Sequence, residues 1–362
     1  MKSSFTLVDR FRRSLEKIPS NLRTQINCPG GLSESELLDL IMNPRDQSVY
    51  QPAPVPPAVV KIDYDIQQAN SLGEKIINQG KVAYCIMTEI IDTRNDSICA
   101  LSRIPDIDMS LLTLKIFQAV GPGPIWIIVS PSSRQRIIDH VNSQTGFDLG
   151  RIRFVDRYES YRLEPDNQIL FVDGRPDLYS CGSGDLFPAL IFSGVLSKFI
   201  ETGGRYISVV DVRNVAGSLD SVTIGRHALM DASVSYEVVE GSLGDSNSAG
   251  VLCDVNGSYQ IVEDIRIFDT DCNHKNLKWF DTNSLIFNAS LNIAPLGRSW
   301  NRIRKNVNGR LVVQHERLLQ EITEAYNTTY FGVAKSERFV LVKNANDLLH
   351  VNEFINANKQ FI

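Results

Sequence analysis

Cys181-Gly182-Ser183-Gly184-Asp185 is a small, glycine-framed turn directly ahead of the apolar run Leu186-Phe187-Pro188-Ala189-Leu190. Lacking a Cβ, Gly182 and Gly184 let main-chain N–H groups come close to a flat ring or a phosphate, and Ser183 places a hydroxyl between them. The same residues also suit a plain helix entry, with Ser183 or Asp185 capping the helix that starts near Leu186. Lys343 follows Phe339-Val340-Leu341-Val342; an ammonium buried there without a partner would be costly, which predicts a phosphate or carboxylate beside it. Glu263 ends the otherwise apolar run 259–262, either as a ligand contact or at the wet end of a strand. Asp211 and Arg213 stand two apart in Val210-Asp211-Val212-Arg213-Asn214, and on a strand that spacing puts them on one face, as an ion pair or as a place for phosphate or metal.

Other chemistries are excluded by what the chain lacks. His140, His227, His274, His315 and His350 are scattered without metal-ligand spacing, so each reads as a surface or satisfied histidine and no zinc centre is expected. Gly182-Ser183-Gly184 lacks the outer frame of a nucleophile elbow and has no histidine near it in sequence, which argues against hydrolase chemistry. Gly121-Pro122-Gly123-Pro124 reads as a rigid turn, because proline has no N–H to offer a phosphate. The six cysteines show neither Cys-x-x-Cys spacing nor the density of a disulfide-stapled domain, so they read as reduced thiols of a cytoplasmic protein. A formal net charge of −5 argues against a broad surface for nucleic acid or anionic membrane. No apolar signal core opens the chain and no 18-residue apolar span occurs, so no membrane association is expected.

These residues need elements to hold them. Residues 1–45 read as two amphipathic helices, the second entered through Ser33-Glu34-Ser35-Glu36. Gln51-Pro52-Ala53-Pro54-Val55-Pro56-Pro57 is a stiff linker. Apolar, β-branched runs at 82–87, 125–130, 152–155 and 206–212 then alternate with helical patterns at 109–119, 132–143 and 185–201, the rhythm of a mostly parallel sheet covered by helices. The runs 235–240, 250–255, 259–263 and 285–288 read as antiparallel strands, with Asn256-Gly257 as a hairpin turn. Residues 310–329 read as a helix and 339–343 as a short strand. The expected organisation is an N-terminal helical arm and linker (1–57), an α/β domain (58–305) and a short C-terminal segment packed on it (306–362). In such sheets ligands sit beyond the carboxyl ends of the strands, so the loops after Met87, Ser130 and Val212 should enclose one cleft with the 180–185 turn.

From about residue 81 to 346 the chain resembles the eukaryotic-type UTP:sugar-1-phosphate uridylyltransferases, the family of UDP-glucose and UDP-N-acetylglucosamine pyrophosphorylases. The resemblance lies in Gly182-Ser183-Gly184-Asp185-Leu186-Phe187, in the segment 250–263, in Phe280-Asp281-Thr282-Asn283-Ser284 and in Phe339-Val340-Leu341-Val342-Lys343-Asn344-Ala345-Asn346. It implies an α/β, Rossmann-like nucleotidyltransferase fold of glycosyltransferase-A-like type, a mixed sheet flanked by helices with an N-terminal helical segment. It implies that the Gly182, Ser183 and Gly184 turn meets uracil, that Gly250 and Glu263, with Asn283 and Ser284, line the sugar, and that Lys343 steadies phosphate charge. The implied substrates are UTP and a sugar 1-phosphate, the product a UDP-sugar, with Mg²⁺ as cofactor.

The chain departs from that pattern in several places, among them Arg103-Ile104-Pro105-Asp106, where the family's basic residue is replaced, and Ser183 and Ser284, where the family has larger polar residues. Where the family has a glycine-rich phosphate loop, it carries Thr88-Glu89-Ile90-Ile91-Asp92-Thr93-Arg94-Asn95-Asp96, with no glycine and with acids where phosphates would lie. Arg213 stands where the family has a metal-binding aspartate, which passes any metal role to Asp211 and leaves Arg213, with Lys343, as a catalytic cation. The chain also closes shortly after Asn346, which predicts the absence of the additional C-terminal β domain of UDP-glucose pyrophosphorylases. Two expectations follow: a divergent uridylyltransferase, or an inactive relative that binds a nucleotide sugar or a protein partner.

Overall fold

The structure, a computed structural model, describes residues 2–23, 30–43, 53–88, 91–92, 97–241, 250–263, 277–297, 299–342 and 346–357. Lys343 and most of the 88–96 segment lie outside the described residues. The main sheet takes β1 (Val60–Lys61), β2 (Val82–Met87), β3 (Ile125–Val129), β4 (Ile152–Asp156), β5 (Tyr206–Asp211), β6 (Val234–Glu240), β7 (Val251–Val255), β8 (Ser258–Val262) and β9 (Trp279–Asn288). A separate hairpin, β10 (Asn301–Val307) and β11 (Arg310–Glu316), follows before β12 (Thr328–Val333) returns to the sheet. The strand order is β1-β12-β6-β9-β5-β2-β3-β4, with β7 beside β9 and β8 beside β7.

β5, β2, β3 and β4 run parallel, and β9 runs antiparallel to both β5 and β6. The mixed α/β sheet implied by the sequence is therefore present. β2, β3 and β5 are buried at every position, because helices cover both faces and the strands carry apolar residues on each. Alternate residues feed two cores: Ala83, Cys85, Trp126 and Ile128 join one, and Tyr84, Ile86, Ile125 and Ile127 the other. Each such side chain contributes roughly 1.5–3 kcal/mol on burial.

The covering helices are α1 (Lys2–Glu16), α2 (Glu34–Met42), α3 (Ile66–Asn78), α4 (Leu111–Phe117), α5 (Pro131–Ser143), α6 (Leu186–Phe192), α7 (Val195–Glu201), α8 (Ser221–Leu229), α9 (Glu321–Ala325) and α10 (Asp347–Ala357). Ser33 and Glu36 close the expected capping box of α2. The N-terminal arm is docked: Phe11 and Leu37 are buried in the core, Ser14 Oγ accepts from Ile169 N at 3.1 Å, and Ala53 pairs with Asp254. α3 and α8 cross with their main chains almost in contact. A Cβ on Gly73 would sit 1.8 Å from Ser221 O, and one on Gly225 1.8 Å from Ala69 O.

Three readings of secondary structure need correction, the first being the expected short strand over 339–343, whose described residues make only one isolated bridge, Leu341 with Asn214. The expected helix over 185–201 is two helices, because Gly194 takes φ 74° and stops α6 before α7 begins. The expected helix over 310–329 is strand β11, the short α9 and the start of β12. Leu311, Val312, Leu318, Leu319 and Ile322 recur at steps of three, four and seven residues by coincidence across a strand, a turn and a helix. The Asn256-Gly257 hairpin is as expected, with φ 54° and 86°.

Candidate functional site

The carboxyl-end side of the sheet is organised around the end of β5, where three segments meet. Asp211 ends β5 beside Met87 of β2, and Val212 N donates to Met87 O at 2.9 Å. Thr88, the first residue after β2, is buried and tied to Ile128 O by both its N–H, at 3.3 Å, and its hydroxyl. On the other side, Val210 pairs with Ser284 of β9. Just there β9 bulges: Tyr236 opposes Leu285 and Val238 opposes Asp281, so Glu237 alone faces residues 282–284. Asn283 sits in that bulge with φ 54°, a conformation asparagine tolerates better than most residues.

Arg213 folds back on Asp211. Its main-chain N donates to Oδ1 at 2.8 Å, Nε to Oδ1 and Oδ2 at 3.0 and 3.1 Å, and Nη2 to Oδ2 at 2.5 Å. The next residue, Asn214, is fully buried; its amide donates to Thr282 O and Arg338 O and accepts from Val340 N. Val342 N donates to Arg213 O at 2.9 Å, so the 338–342 segment lies along this loop. The segment is held further by Arg338, which pairs with the buried Glu237 at 2.8 Å and donates to Ser218 Oγ at 2.9 Å. Burial opposes the charge on Arg338, but Glu237 and Asp220 outweigh it and raise the pKa above the ordinary value. Behind the loop, Lys115 of α4 is fully buried and donates to Gln118 Oε1, Val215 O and Gly217 O. Desolvation pulls its pKa well below the usual lysine value.

A second polar cluster lies at the bulge. Asp281 N donates to Gly250 O at 2.9 Å, Gln320 Nε2 donates to Asp281 Oδ2 at 2.7 Å, and Asn283 N donates to Asp281 Oδ1. Asp281 is fully buried, and this pushes its carboxyl up to about 7; nearby Asp211 adds to the shift, while Gln320 and Asn283 N oppose it. Among the described residues the buried Gln320 Oε1 has no hydrogen-bond partner, and the buried Tyr236 hydroxyl lies beside the Asp281 carboxyl. Asp281 lies within the family-like segment 280–284, and its type and spacing there do not announce a role. A carboxylate between Phe280 and the apolar Leu285-Ile286-Phe287 was the available signal, since a buried acid needs partners.

Of the expected site residues, the structure brings together Asp211, Arg213 and Ser284 at the end of β5, and Gly250 and Asn283 around Asp281. Glu263 directly follows β8, whose last residue Val262 pairs with Val251, so it lies next to Gly250 across the hairpin. The Gly182–Gly184 turn is packed against the chain after β11. A Cβ on Gly182, at φ 97°, would lie 2.3 Å from Arg317 O, and one on Gly184 would lie 2.7 Å from Leu318 N. Ser183 Oγ accepts from Leu319 N at 3.1 Å. Asp185 does not cap α6; it forms a buried ion pair with Arg317 at 2.9 Å. Residues 317–320 thus separate this turn from Asp281 and touch both. The buried His227 is satisfied by Ser235 and Asn288 at 2.8 and 3.1 Å, as expected of a structural histidine.

The donor set bears on the divalent cation that the resemblance implies. Both oxygens of Asp211 are engaged by Arg213, and those of Asp281 by Gln320 and Asn283 N. Among the described residues no three His, Cys, Asp or Glu side chains are grouped to hold a metal ion. This set does not fit Mg²⁺, which asks for a near-octahedral shell of oxygens.

A family model described as UTP–glucose-1-phosphate uridylyltransferase matches residues 151–360, more than half of the chain and most of the site just described. The chain belongs to that family. A UTP–glucose-1-phosphate uridylyltransferase from Solanum tuberosum is 27% identical over 187 residues, 49% of this chain and 39% of the relative. One from Encephalitozoon cuniculi is 24% identical over 196 residues, 51% of this chain and 40% of the relative. The matched part is thus well under half the length of these curated relatives. Among solved structures, the uridine diphosphate N-acetylglucosamine pyrophosphorylase of Trypanosoma brucei superposes with TM-score 0.69 at 16% identity, covering 97% of this chain and 84% of that one. A UDP-glucose pyrophosphorylase from Leishmania major, in complex with UDP-glucose, gives TM-score 0.67 at 15% identity, covering 96% and 78%. These likenesses fix the fold: the sheet of this family member is that of the UDP-sugar pyrophosphorylases.

Proposed function

We propose that this divergent family member binds a uridine nucleotide sugar in the cleft at the carboxyl ends of β2 and β5, and exchanges a uridylyl group between UTP and a sugar 1-phosphate. The observation that carries the reading is the meeting of the Asp211–Arg213 pair with the Gly250, Asp281 and Asn283 cluster at one strand end, within the stretch that the family model matches. A phosphate oxygen of the sugar 1-phosphate attacks the α-phosphorus of UTP. The bond to the bridging oxygen toward the β-phosphate breaks, and pyrophosphate leaves. Such chemistry needs positioning and positive charge more than a covalent nucleophile. Arg213 and Lys343 supply that charge, while Glu263, Asn283 and Ser284 meet the hydroxyl-rich sugar beside Gly250. No step here passes through a bound metal.

Cys85 and Cys253 are buried thiols outside any disulfide, which supports a reducing, cytoplasmic setting. No single helix among the described residues is long and apolar enough to cross a membrane. The test is pyrophosphate release from UTP with glucose 1-phosphate or N-acetylglucosamine 1-phosphate, with the UDP-sugar identified by chromatography. Release with either sugar is expected. If both fail while UDP-glucose still binds, the inactive nucleotide-sugar binder is the better reading; if nothing binds, a protein partner is.

A further inference from the structure

Asp211 ends β5 with most of its acceptor capacity already used. A carboxylate offers about four lone-pair sites, and Arg213 alone engages both oxygens through three N–H groups: its main-chain N, the Nε–H shared between the two oxygens, and Nη2. Arg213 stands in the turn just after β5, where its main-chain N reaches back to Asp211 Oδ1 and brings the two side chains together. A cation arriving at Asp211 would have to displace this arginine and then sit beside its charge. The charge at the strand end is thus already provided, by a covalently attached guanidinium.

We infer that Arg213, oriented by Asp211, takes the place of a divalent cation at the end of β5, so that a nucleoside diphosphate sugar binds here without metal. The inference rests on the nucleotide-sugar reading above. A guanidinium is planar and permanently charged, and its fork makes paired hydrogen bonds to phosphate oxygens. Asp211 then acts as a positioning residue: it fixes the plane of the guanidinium before the diphosphate arrives, so less side-chain freedom is lost on binding. Arg213 is about a quarter exposed while Asp211 lies deeper, at 24% and 12% of their side-chain surface, the arrangement expected if the arginine meets the ligand and the aspartate stands behind it.

Isothermal titration of the purified chain with UDP-glucose, in EDTA and again in magnesium, tests this on the wild-type protein. Dissociation constants within about twofold of each other are expected, and Arg213→Ala should weaken binding by about tenfold or more in both buffers. Asp211→Asn should weaken it less, and Arg213→Lys should restore part of the affinity, with thermal melts confirming that each variant is folded. Binding that requires magnesium overturns the inference and leaves the nucleotide-sugar reading standing. So does an Arg213→Ala protein that melts normally and binds as before. Silence in both buffers removes the reading and the inference together.

Discussion

Asn214 and Arg338, 124 residues apart, are joined side chain to main chain: Asn214 Nδ2 donates to Arg338 O at 3.0 Å. The same amide donates to Thr282 O at 3.2 Å and accepts from Val340 N at 3.1 Å. One fully buried side chain therefore holds the loop after β5, the bulge of β9 and the 338–342 segment in a fixed relation. Asn214→Ala leaves main-chain groups of two segments, Thr282 O and the Arg338 O and Val340 N pair, without their partner, at a cost of about 2–4 kcal/mol. Urea unfolding of the variant measures it. A loss below about 1 kcal/mol would mean that water replaces the amide and that the three segments are not coupled through it.

The Glu237–Arg338 pair gives a sharper version of the same test. Their side chains are 3% and 13% exposed, and the guanidinium also reaches Ser218. Removing either partner strands a buried charge, which costs about 3–5 kcal/mol, whereas replacing both by apolar residues of similar volume costs far less. Glu237→Met and Arg338→Met should each destabilise strongly, and the double variant should be more stable than the sum of the two losses implies. Additive losses in this cycle would show that the pair does not act as a unit.

The central sheet was legible because its physics is local. β2, β3 and β5 are buried on both faces, so their sequences are short unbroken apolar runs, and the Asn256-Gly257 turn needs two left-handed residues that few other pairs supply. α3 and α8 went unread: their packing depends on Gly73 and Gly225, which look like helix-weakening residues until the partner helix is in place. The site was legible only in part. Asp211 ends β5 and Arg213 stands in the turn beyond it, so their meeting depends on that turn and on rotamers rather than on strand spacing. Asp281 and Gln320 are 39 residues apart, and nothing in either neighbourhood announces the bond between them.

The α3–α8 crossing makes a prediction that intrinsic helix preference alone would reverse. Gly→Ala in a helix ordinarily stabilises by up to about 1 kcal/mol. Here Gly225→Ala places a methyl 1.8 Å from Ala69 O, and Gly73→Ala does the same against Ser221 O. The helices must part, so each substitution should cost about 3 kcal/mol or more. Gly194→Ala has no neighbour to strike within 4 Å and meets only the backbone strain of φ 74°, about 1–2 kcal/mol. Thermal melting of the three variants should rank Gly194→Ala as the mildest; equal losses would show that the helices slide apart freely.

Asp281 ties the site to pH with a definite sign. Burial holds its carboxyl at about 7 in the folded chain, against about 3.9 when unfolded. Between these values the folded protein keeps a proton that the unfolded chain has released, so this group favours folding at low pH. Its contribution falls as pH rises from about 4 to about 7 and is then constant, a total change on the order of 4 kcal/mol. His227 and His315 tilt the curve the other way. Their pKa values are lowered to about 4 by burial, so they stay neutral when folded, and they cost stability as pH drops below about 6.5. The wild-type profile mixes these slopes, and Asp281→Asn separates them, because asparagine keeps the shape and cannot titrate. Relative to wild type, the variant should be more stable at about pH 8 and lose that advantage toward about pH 5. Urea midpoints across this range measure the difference, and a constant offset between the two proteins would mean that Asp281 is ionised throughout and that its partners, not a proton, balance its burial.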